Sequence, residues 1–400
     1  MTSPTLLPVN IYEGQDFYVP AYRIVINQQD VGLEIQNDVI SVTYTDSLKD
    51  VDSFEMTVNN WDPDGVPGTP AMGAFKYSDS DTFNPWQQVE LWMGYYRNGN
   101  DEMKRMLTGE ISTMSPTFPA SGGSTLTVRA LNLLHRFRTN QETKAYFNKK
   151  DTEIAQDLIN DIAANLRQKI PQLTLQMDPD EIQQNLAVEQ QIPYLDMPNQ
   201  YPIVFLMQRA RDIGYELFLE EQGTNTQRIV IVHFLETSQV ARHTYIVEWG
   251  KSLISFQPTL QTANQVSDLT VTGWNPQTKQ QIKVQVTRQD LAAEGIIDPT
   301  ALNITESELS QKSELVVDHP VQSQAEARMI ALKRMRQIAQ GLVEARGKTL
   351  GTPDLRSGCK LQIAGLGTRF SGTYLVTSTT HTIGDGGYIT DFTARMEAAT

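Results

Sequence analysis

Gly347-Lys348-Thr349-Leu350-Gly351-Thr352-Pro353-Asp354-Leu355-Arg356-Ser357-Gly358 is the stretch on which the reading of this chain turns. Before it, Ser323 and Glu326 form a Ser-x-x-Glu capping box, and Ala325, Met329, Leu332, Ala339 and Leu342 give a helical stripe over Ser323 to Leu342. Gly347 then reads as a helix C-terminal residue in the left-handed conformation. After it, apolar runs are punctuated by Gly358, Gly365, Gly367, Gly372 and Gly386-Gly387, as strands and tight turns are. A capped helix followed by a set of strands is expected from Val317-Asp318-His319-Pro320 to Arg395-Met396-Glu397.

Working outward, Tyr245 opens a second β-rich block. Ile254 to Pro258, Ser267 to Trp274 and Gln281 to Val286 are strand-like, with Asn275-Pro276-Gln277-Thr278 as a turn. Arg288 to Leu315 is polar and acidic and reads as a surface excursion. Upstream, Asp151 to Arg167 places Ile154, Leu158, Ile159, Ile162 and Leu166 on one helical face, with Asp151 as N-cap and Pro171 as the stop. Gln172 to Pro202, with Pro179, Pro193 and Pro198, reads as a connecting region. A second helix, Ile203 to Ile213, stops at Gly214, and a hairpin joins Tyr215–Leu219 to Arg228–Phe234.

The first 140 residues are mostly β. Tyr22–Ile26 and Val39–Tyr44 carry β-branched and aromatic residues, and Ser53–Val58 alternates with period two. Strands resume at Gln88–Met93, Arg105–Ile111 and Ser124–Ala130, with turns at Asn98-Gly99-Asn100 and Ser121-Gly122-Gly123. A small antiparallel barrel or sandwich follows from this spacing.

Composition narrows the function. At 400 residues, two or three domains are expected. A net charge of -14 argues against holding a phosphate backbone, which rests on Lys and Arg. A single cysteine, Cys359, rules out an intrachain disulfide framework and suits assembly in the cytosol. The N-terminus lacks a signal-peptide pattern, and no apolar run reaches the roughly 18 residues needed to cross a bilayer, so no membrane insertion is expected.

Motifs for chemistry fail on inspection. Asn60-Trp61-Asp62-Pro63-Asp64-Gly65 begins like a calcium loop, but position twelve is Ala71. Gly347-Lys348-Thr349 follows a helix, not a strand, and Gly341 is misplaced for a phosphate loop. His135, His233, His243, His319 and His381 have no metal-ligand spacing, and His381 reads as a core or interface histidine. Acid pairs such as Asp178/Asp180 and Glu220/Glu221 are expected by chance among 47 acidic residues. No catalytic, cofactor or metal residue is expected. Arg328, Lys333, Arg334, Arg336, Arg346 and Lys348 gather positive charge, either as a solvated helix face or as a contact with an acidic partner or another copy of the chain.

The helix-turn-hairpin at Tyr201 to Phe234, the Gly273-Trp274-Asn275-Pro276 turn and the segment His319 to Met396 come in a telling order. That order resembles the phage late control protein D family, the baseplate hub of contractile tails, and the related hub part of type VI spike proteins. The resemblance is most specific in Gly351–Gly358 and Phe370–Val376. It implies an α+β, mainly β chain with two tube-like antiparallel β-barrel domains and an α/β insert. The divisions are 1–140, 141–240 and 241–400, the last with the excursion 288–321 and the helix 323–342. It further implies a non-enzymatic homotrimer of pseudo-sixfold symmetry, assembled in the bacterial cytoplasm into a virion or contractile injection particle. Such a trimer joins a sixfold inner tube protein to a separate threefold spike protein, among other baseplate proteins. The alternatives are a particle-associated cell-wall hydrolase and a carbohydrate-binding module using Trp61, Trp86, Trp92, Trp249 or Trp274.

Overall fold

The computed structural model describes residues 8–11, 17, 19–62, 74–97, 100–138, 140–169, 171, 173–224, 227–236, 244–263, 265–275, 278–293, 313–316 and 323–399. In it the period-two segments become strands with one buried face. The first set is β1 (Val9–Asn10), β2 (Pro20–Ile26), β3 (Gln29–Asp30), β4 (Val39–Ser47), β5 (Ser53–Asn59), β6 (Trp61–Asp62), β7 (Ala74–Phe75), β8 (Gln88–Arg97), β9 (Asn100–Thr117) and β10 (Thr125–Asn132), with helix α1 (Leu33–Asp38) before β4. Six of these run antiparallel in the order β4-β5-β10-β9-β8-β2. Phe54, Met56 and Val58 of β5 and Leu126, Val128 and Ala130 of β10 turn inward because strand side chains alternate faces. They meet Tyr44, Leu91 and Met93 in one core. Each large side chain buried there contributes about 1.5–3 kcal/mol.

A 3₁₀ turn (Leu133–Arg138) leads to β11 (Glu142–Lys149), α2 (Asp151–Lys169), β12 (Leu173–Met177), α3 (Pro179–Val188), β13 (Ile192–Gln200), α4 (Pro202–Ile213), β14 (Tyr215–Thr224) and β15 (Gln227–Glu236). Helices α2 and α4 pack on the sheet β12-β15-β14 through Ile154, Leu158, Phe205, Leu206, Leu217 and Val232. Gly214, at φ 74°, closes α4 and returns its N–H to the carbonyls of Ala210 and Arg211. Asp151 is the first residue of α2, and its carboxylate holds Arg209 of α4 at 2.7 and 3.0 Å. The expected connecting region is in fact structured. Strand β12 pairs in parallel with β15, and β13 pairs with β11. Helix α3 is capped by Asp178. Pro179 and Pro202 open helices, where a missing N–H costs nothing. β12 is too short for its period to stand out, and β13 shows no alternation because Met197 is its one buried side chain.

The remaining elements are β16 (Thr244–Glu248), β17 (Leu253–Leu260), β18 (Asp268–Asn275), β19 (Gln280–Thr287), α5 (Arg288–Ala293), β20 (Ser313–Val316), α6 (Gln324–Gln340), β21 (Val343–Leu350), β22 (Lys360–Ala364), α7 (Gly367–Phe370), β23 (Gly372–Gly384) and β24 (Gly387–Ala399). Their strands divide between two sheets. β16-β22-β23-β24-β21-β17 make a second six-stranded unit around Leu361, Tyr374, Val376 and Phe392. β19-β18-β20 form a separate sheet covered by α6. The segments Ser267 to Trp274 and Gln281 to Val286 therefore do not extend the C-terminal strands. The expected excursion supplies α5, with Leu291 buried, and β20, which pairs in parallel with β18.

Two further expectations are corrected. The buried stripe of α6 is Ala327, Ala331, Met335 and Ala339, while Ala325 is exposed and Met329 and Leu332 are half-buried. The three alanines let the helix lie close on its sheet, with Met335 buried among them and Met329 and Leu332 at the flanks. Gly347 is not a helix terminus, since α6 ends at Gln340. It lies in β21 opposite Phe392, and a Cβ there would fall inside 3.0 Å of that ring. Gly351 makes the same room for Tyr388.

The two six-stranded units share one sheet. Ser378 to Ile383 of β23 pair with Ser47 to Val42 of β4, so the first unit continues directly into the second. Tyr388 of β24 reaches into the first unit's core beside Tyr95, whose hydroxyl donates to the Gly351 carbonyl at 2.8 Å.

Candidate functional site

The seam between the β units holds a buried ionic cluster. Strand β4 brings Tyr44 and Asp46, the β4–β5 turn brings Asp52, the loop after β21 brings Arg356 and Ser357, and β23 brings Thr379 and His381. Arg356 Nε donates to Asp46 Oδ2 at 2.9 Å, and its Nη2 donates to the Met106 carbonyl at 3.1 Å and to the Tyr44 hydroxyl. The guanidinium also lies over the Tyr44 ring at 4.6 Å. Asp46 accepts further bonds from the Ser357 N–H at 3.0 Å and the Thr379 hydroxyl. The Asp46 side chain is 2% exposed and that of Arg356 18%.

The surroundings push these groups in opposite directions. Burial works to raise Asp46, but the Arg356 charge and the Thr379 hydroxyl hold it below the usual carboxylate range. Burial and then the Asp46 charge push Asp52 up to about 7. Asn132 donates to Asp52 at 2.8 Å. Burial pushes His381 down to about 3, so it is neutral. Its Nε2 lies 3.0 Å from the Leu355 carbonyl, which can only accept, so Nε2 carries the proton. Nδ1 then accepts from the Tyr388 hydroxyl at 3.0 Å or from Thr390 at 3.1 Å. His381 is a core histidine, as its strand context suggested.

Beside the seam, a cleft of about 750 Å³ opens where the β4–β5 turn, α4, α6 and β23–β24 meet. Lys333, Arg334 and Arg336 line it; Arg328, Arg346 and Lys348 do not. Arg336 is 8% exposed, so it is not part of a solvated helix face. Arg334 reaches Glu314 at 3.6 Å, and Arg328 reaches Asp290 at 3.5 Å. Arg346 is exposed on β21, and Lys348 lies 3.4 Å from Asp391. The six expected interface cations thus divide into a helix group and a strand group. Arg356, Arg211 and Arg395 are not among the cations expected from the sequence. Arg356 sits in the most specific stretch of the chain, but its partner Asp46 is 310 residues away.

Other candidates resolve into structural roles. Asn60 is buried, and its Oδ1 accepts from the N–H groups of Tyr77 and Ser78; Pro63 to Ala71 lie outside the described residues. Asp178 caps α3. His233 bridges Glu181 at 2.7 Å and Glu220 at 3.2 Å. His135 meets Glu110 at 3.1 Å, and the positions of His243 and His319 lie outside the described residues. Among the described residues, no group of three or more His, Cys, Asp or Glu side chains could hold a metal ion, and no helix is long and apolar enough to cross a membrane. Trp61, Trp86, Trp249 and Trp274 are exposed on different elements, whereas Trp92 lies under the Arg105 guanidinium at 4.8 Å.

The fold is shared with proteins of tail assemblies. The 43 kDa tail protein of prophage MuSo2 from Shewanella oneidensis superimposes with a TM-score of 0.65 at 12% identity, over 95% of this chain and 100% of that one. A tail protein from Neisseria meningitidis gives 0.62 at 12% identity, over 95% and 97%. An Escherichia coli protein described as a component of the type VI secretion system, structurally similar to bacteriophage tail proteins, gives 0.51 at 10% identity, over 89% and 73%. Curated proteins give no sequence match to the chain. A family model described as the Alg8 N-terminal domain matches residues 21–192 and 199–385, which is most of the chain, and the protein belongs to that family.

Proposed function

We propose that this chain is a non-enzymatic structural subunit of a contractile-tail-like particle, and that three copies form a hub joining a sixfold inner tube to a threefold spike. The observation that carries the reading is the seam: one chain holds two six-stranded β units, and the edge strand β4 of the first pairs with Ser378–Ile383 of β23, beyond the part of β23 that pairs with β22. Three chains then present six such units. The likeness in fold to phage tail proteins and to a type VI component supports it, as does the resemblance to late control protein D.

In this reading the chain divides at 1–140, 141–240 and 241–400, and the last division carries the β18–β20 sheet with α6 as an insertion between β17 and β21. The partners are two further copies, an inner tube protein, a separate spike protein and other baseplate proteins. Assembly takes place in the bacterial cytoplasm. Arg328, Lys333, Arg334, Arg346 and Lys348 contribute to contacts between chains, and the buried Arg336 supports the cleft from inside. The test is native mass spectrometry of the chain alone and after co-expression with candidate tube and spike proteins. A trimer, alone or with its partners, is the expected result; a persistent monomer in every mixture refutes the hub reading.

A further inference from the structure

The two β units repeat one another strand for strand. Across the sheet the first runs β8-β9-β10-β5-β4 and the second β22-β23-β24-β21-β17, and in each the last-named strand comes first in the chain, its neighbour second and the other three after them. The registers agree as well. Leu91 opposite Leu107 is matched by Ile363 opposite Gly372, Ala130 opposite Ile111 by Ala394 opposite Val376, and Tyr44 opposite Phe54 by Pro258 opposite Ala345. The irregularities coincide too: β4 shifts register between Val39 and Ser41, and β17 between Leu253 and Ser255. Only the sixth strands differ, since β2 is antiparallel to β8 and β16 is parallel to β22.

Equivalent edges are treated differently. β4 is covered by Ser378–Ile383 of β23. Its counterpart β17 pairs with β21 alone among the described residues. The counterpart of Ser378–Ile383 is Thr113–Phe118, which lies beyond the part of β9 that pairs with β8 and has β10 as its one neighbouring strand among the described residues. One joint is therefore made within the chain, and both halves of a second are left open. Val42, Tyr44 and Asp46 are buried, while the matching Phe256, Pro258 and Leu260 are half-buried. Across the seam, Thr379, His381 and Ile383 are buried, while Met114 is half-buried and Pro116 and Phe118 are exposed.

We propose, resting on the hub reading, that β17 of one copy meets Thr113–Phe118 of the next copy in the register by which β4 meets β23 within the chain. Phe256 then lies opposite Phe118, Thr259 opposite Ser115, and Leu260 opposite Met114. Thr259 and Ser115 keep the hydroxyls of Thr45 and Thr380, whose oxygens are 3.4 Å apart in the seam. Leu260 and Met114 replace Asp46 and Thr379, so an apolar contact stands where the seam has its ionic cluster. The ladder itself differs at the centre. Leu48 N–H donates to the Thr377 carbonyl, so by alternation the main-chain groups of Asp46 and Tyr44 face across the seam. Pro258 and Pro116 take the places of Tyr44 and His381 and have no N–H to give. The joint between copies is thus broken at its middle and held by the side chains on either side. Prolines on open edges also discourage pairing with unrelated strands.

The test is cysteine cross-linking between copies. Ser115→Cys and Thr259→Cys are co-expressed on separate chains and treated with a short bismaleimide; the native Cys359 is buried. A covalent dimer is expected from this pair, and none from either variant alone or from Ser115→Cys with Lys283→Cys on β19. Both substitutions on one chain are expected to give a covalently closed trimer. Native mass spectrometry of the same samples separates the two readings. A trimer without the cross-link overturns the edge assignment and leaves the hub standing; cross-linked open polymers without trimers support the edge and refute the threefold hub; a monomer without the cross-link overturns both. Phe118→Ser, at a residue 57% exposed, is expected to weaken association at least about tenfold with hydrogen exchange at the β4–β23 seam unchanged. Association equal to the parent's in that variant counts against the proposal.

Discussion

Arg356→Met isolates the contribution of the seam cluster. Methionine keeps most of the side chain's length and removes the guanidinium, so Asp46 loses its charged partner while the Ser357 and Thr379 bonds remain. Removing one member of a buried ion pair costs about 3–5 kcal/mol, because the other charge stays out of water unpaired. The 2% exposure of Asp46 places it in that class. The lost bond to the Met106 carbonyl and the lost stacking on Tyr44 act in the same direction. Urea denaturation at neutral pH, with hydrogen exchange read on β4 and β23, is expected to show the full loss at the seam. Adding Asp46→Asn removes the stranded charge, and the double variant is expected to recover about half or more of the loss. A single variant within about 1 kcal/mol of the parent, or a double variant as weak as the single, would refute the argument that the ion pair is what Asp46 depends on.

Asp52 and His381 give opposing pH dependences. His381 is depressed to about 3, so its contribution is present above the ordinary histidine value and is lost as pH falls from about 6.5 toward 3. Asp52 is raised to about 7, so the folded state keeps a proton that the unfolded chain releases, and stability falls as pH rises from about 4 to 7. Each slope is about 1.4 kcal/mol per pH unit, so together they nearly cancel between about pH 4 and 6.5. Denaturation midpoints across that range are expected to climb with pH in Asp52→Asn and to drop in His381→Gln; parallel curves for parent and variants would contradict this. Gly347→Ala is expected to cost about 1–3 kcal/mol by forcing the Phe392 ring aside. Phe392→Leu in the same chain should cost less than the sum of the two single changes, a coupling readable by thermal denaturation. On α6, Ala331→Leu is expected to destabilise by about 1–3 kcal/mol by lifting the helix off its sheet, whereas Met329→Ala should cost less than about 1 kcal/mol. The reverse order would restore the stripe read from the sequence.

What was legible in the sequence depended on element length and on distance along the chain. The strands around Ser53–Val58 and Thr125–Ala130 and the helices at Asp151 and Ile203 carry enough turns or alternations for their period to show. β12, α3 and β20 do not, and β20 also pairs in parallel, without a local hairpin to announce it. Gly347 misled because a glycine after a helix has two uses, and only the position of Phe392 across the sheet distinguishes them. The cleft cations on α6 were visible as a local charge cluster. Arg356 was not, since nothing near it in sequence demands a carboxylate, and Asp46 is supplied by the opposite end of the chain.

The seam has a consequence for how this architecture tolerates change. Because β23 and β4 are joined by main-chain hydrogen bonds, the angle between the two β units is set by the twist of a continuous sheet. Most side chains on either unit can drift without altering that angle, provided the few that pack the seam keep its strands in register. Tail proteins at 12% identity have a similar fold over 95% of this chain. A geometry written in the backbone can outlast nearly all of the sequence that first produced it.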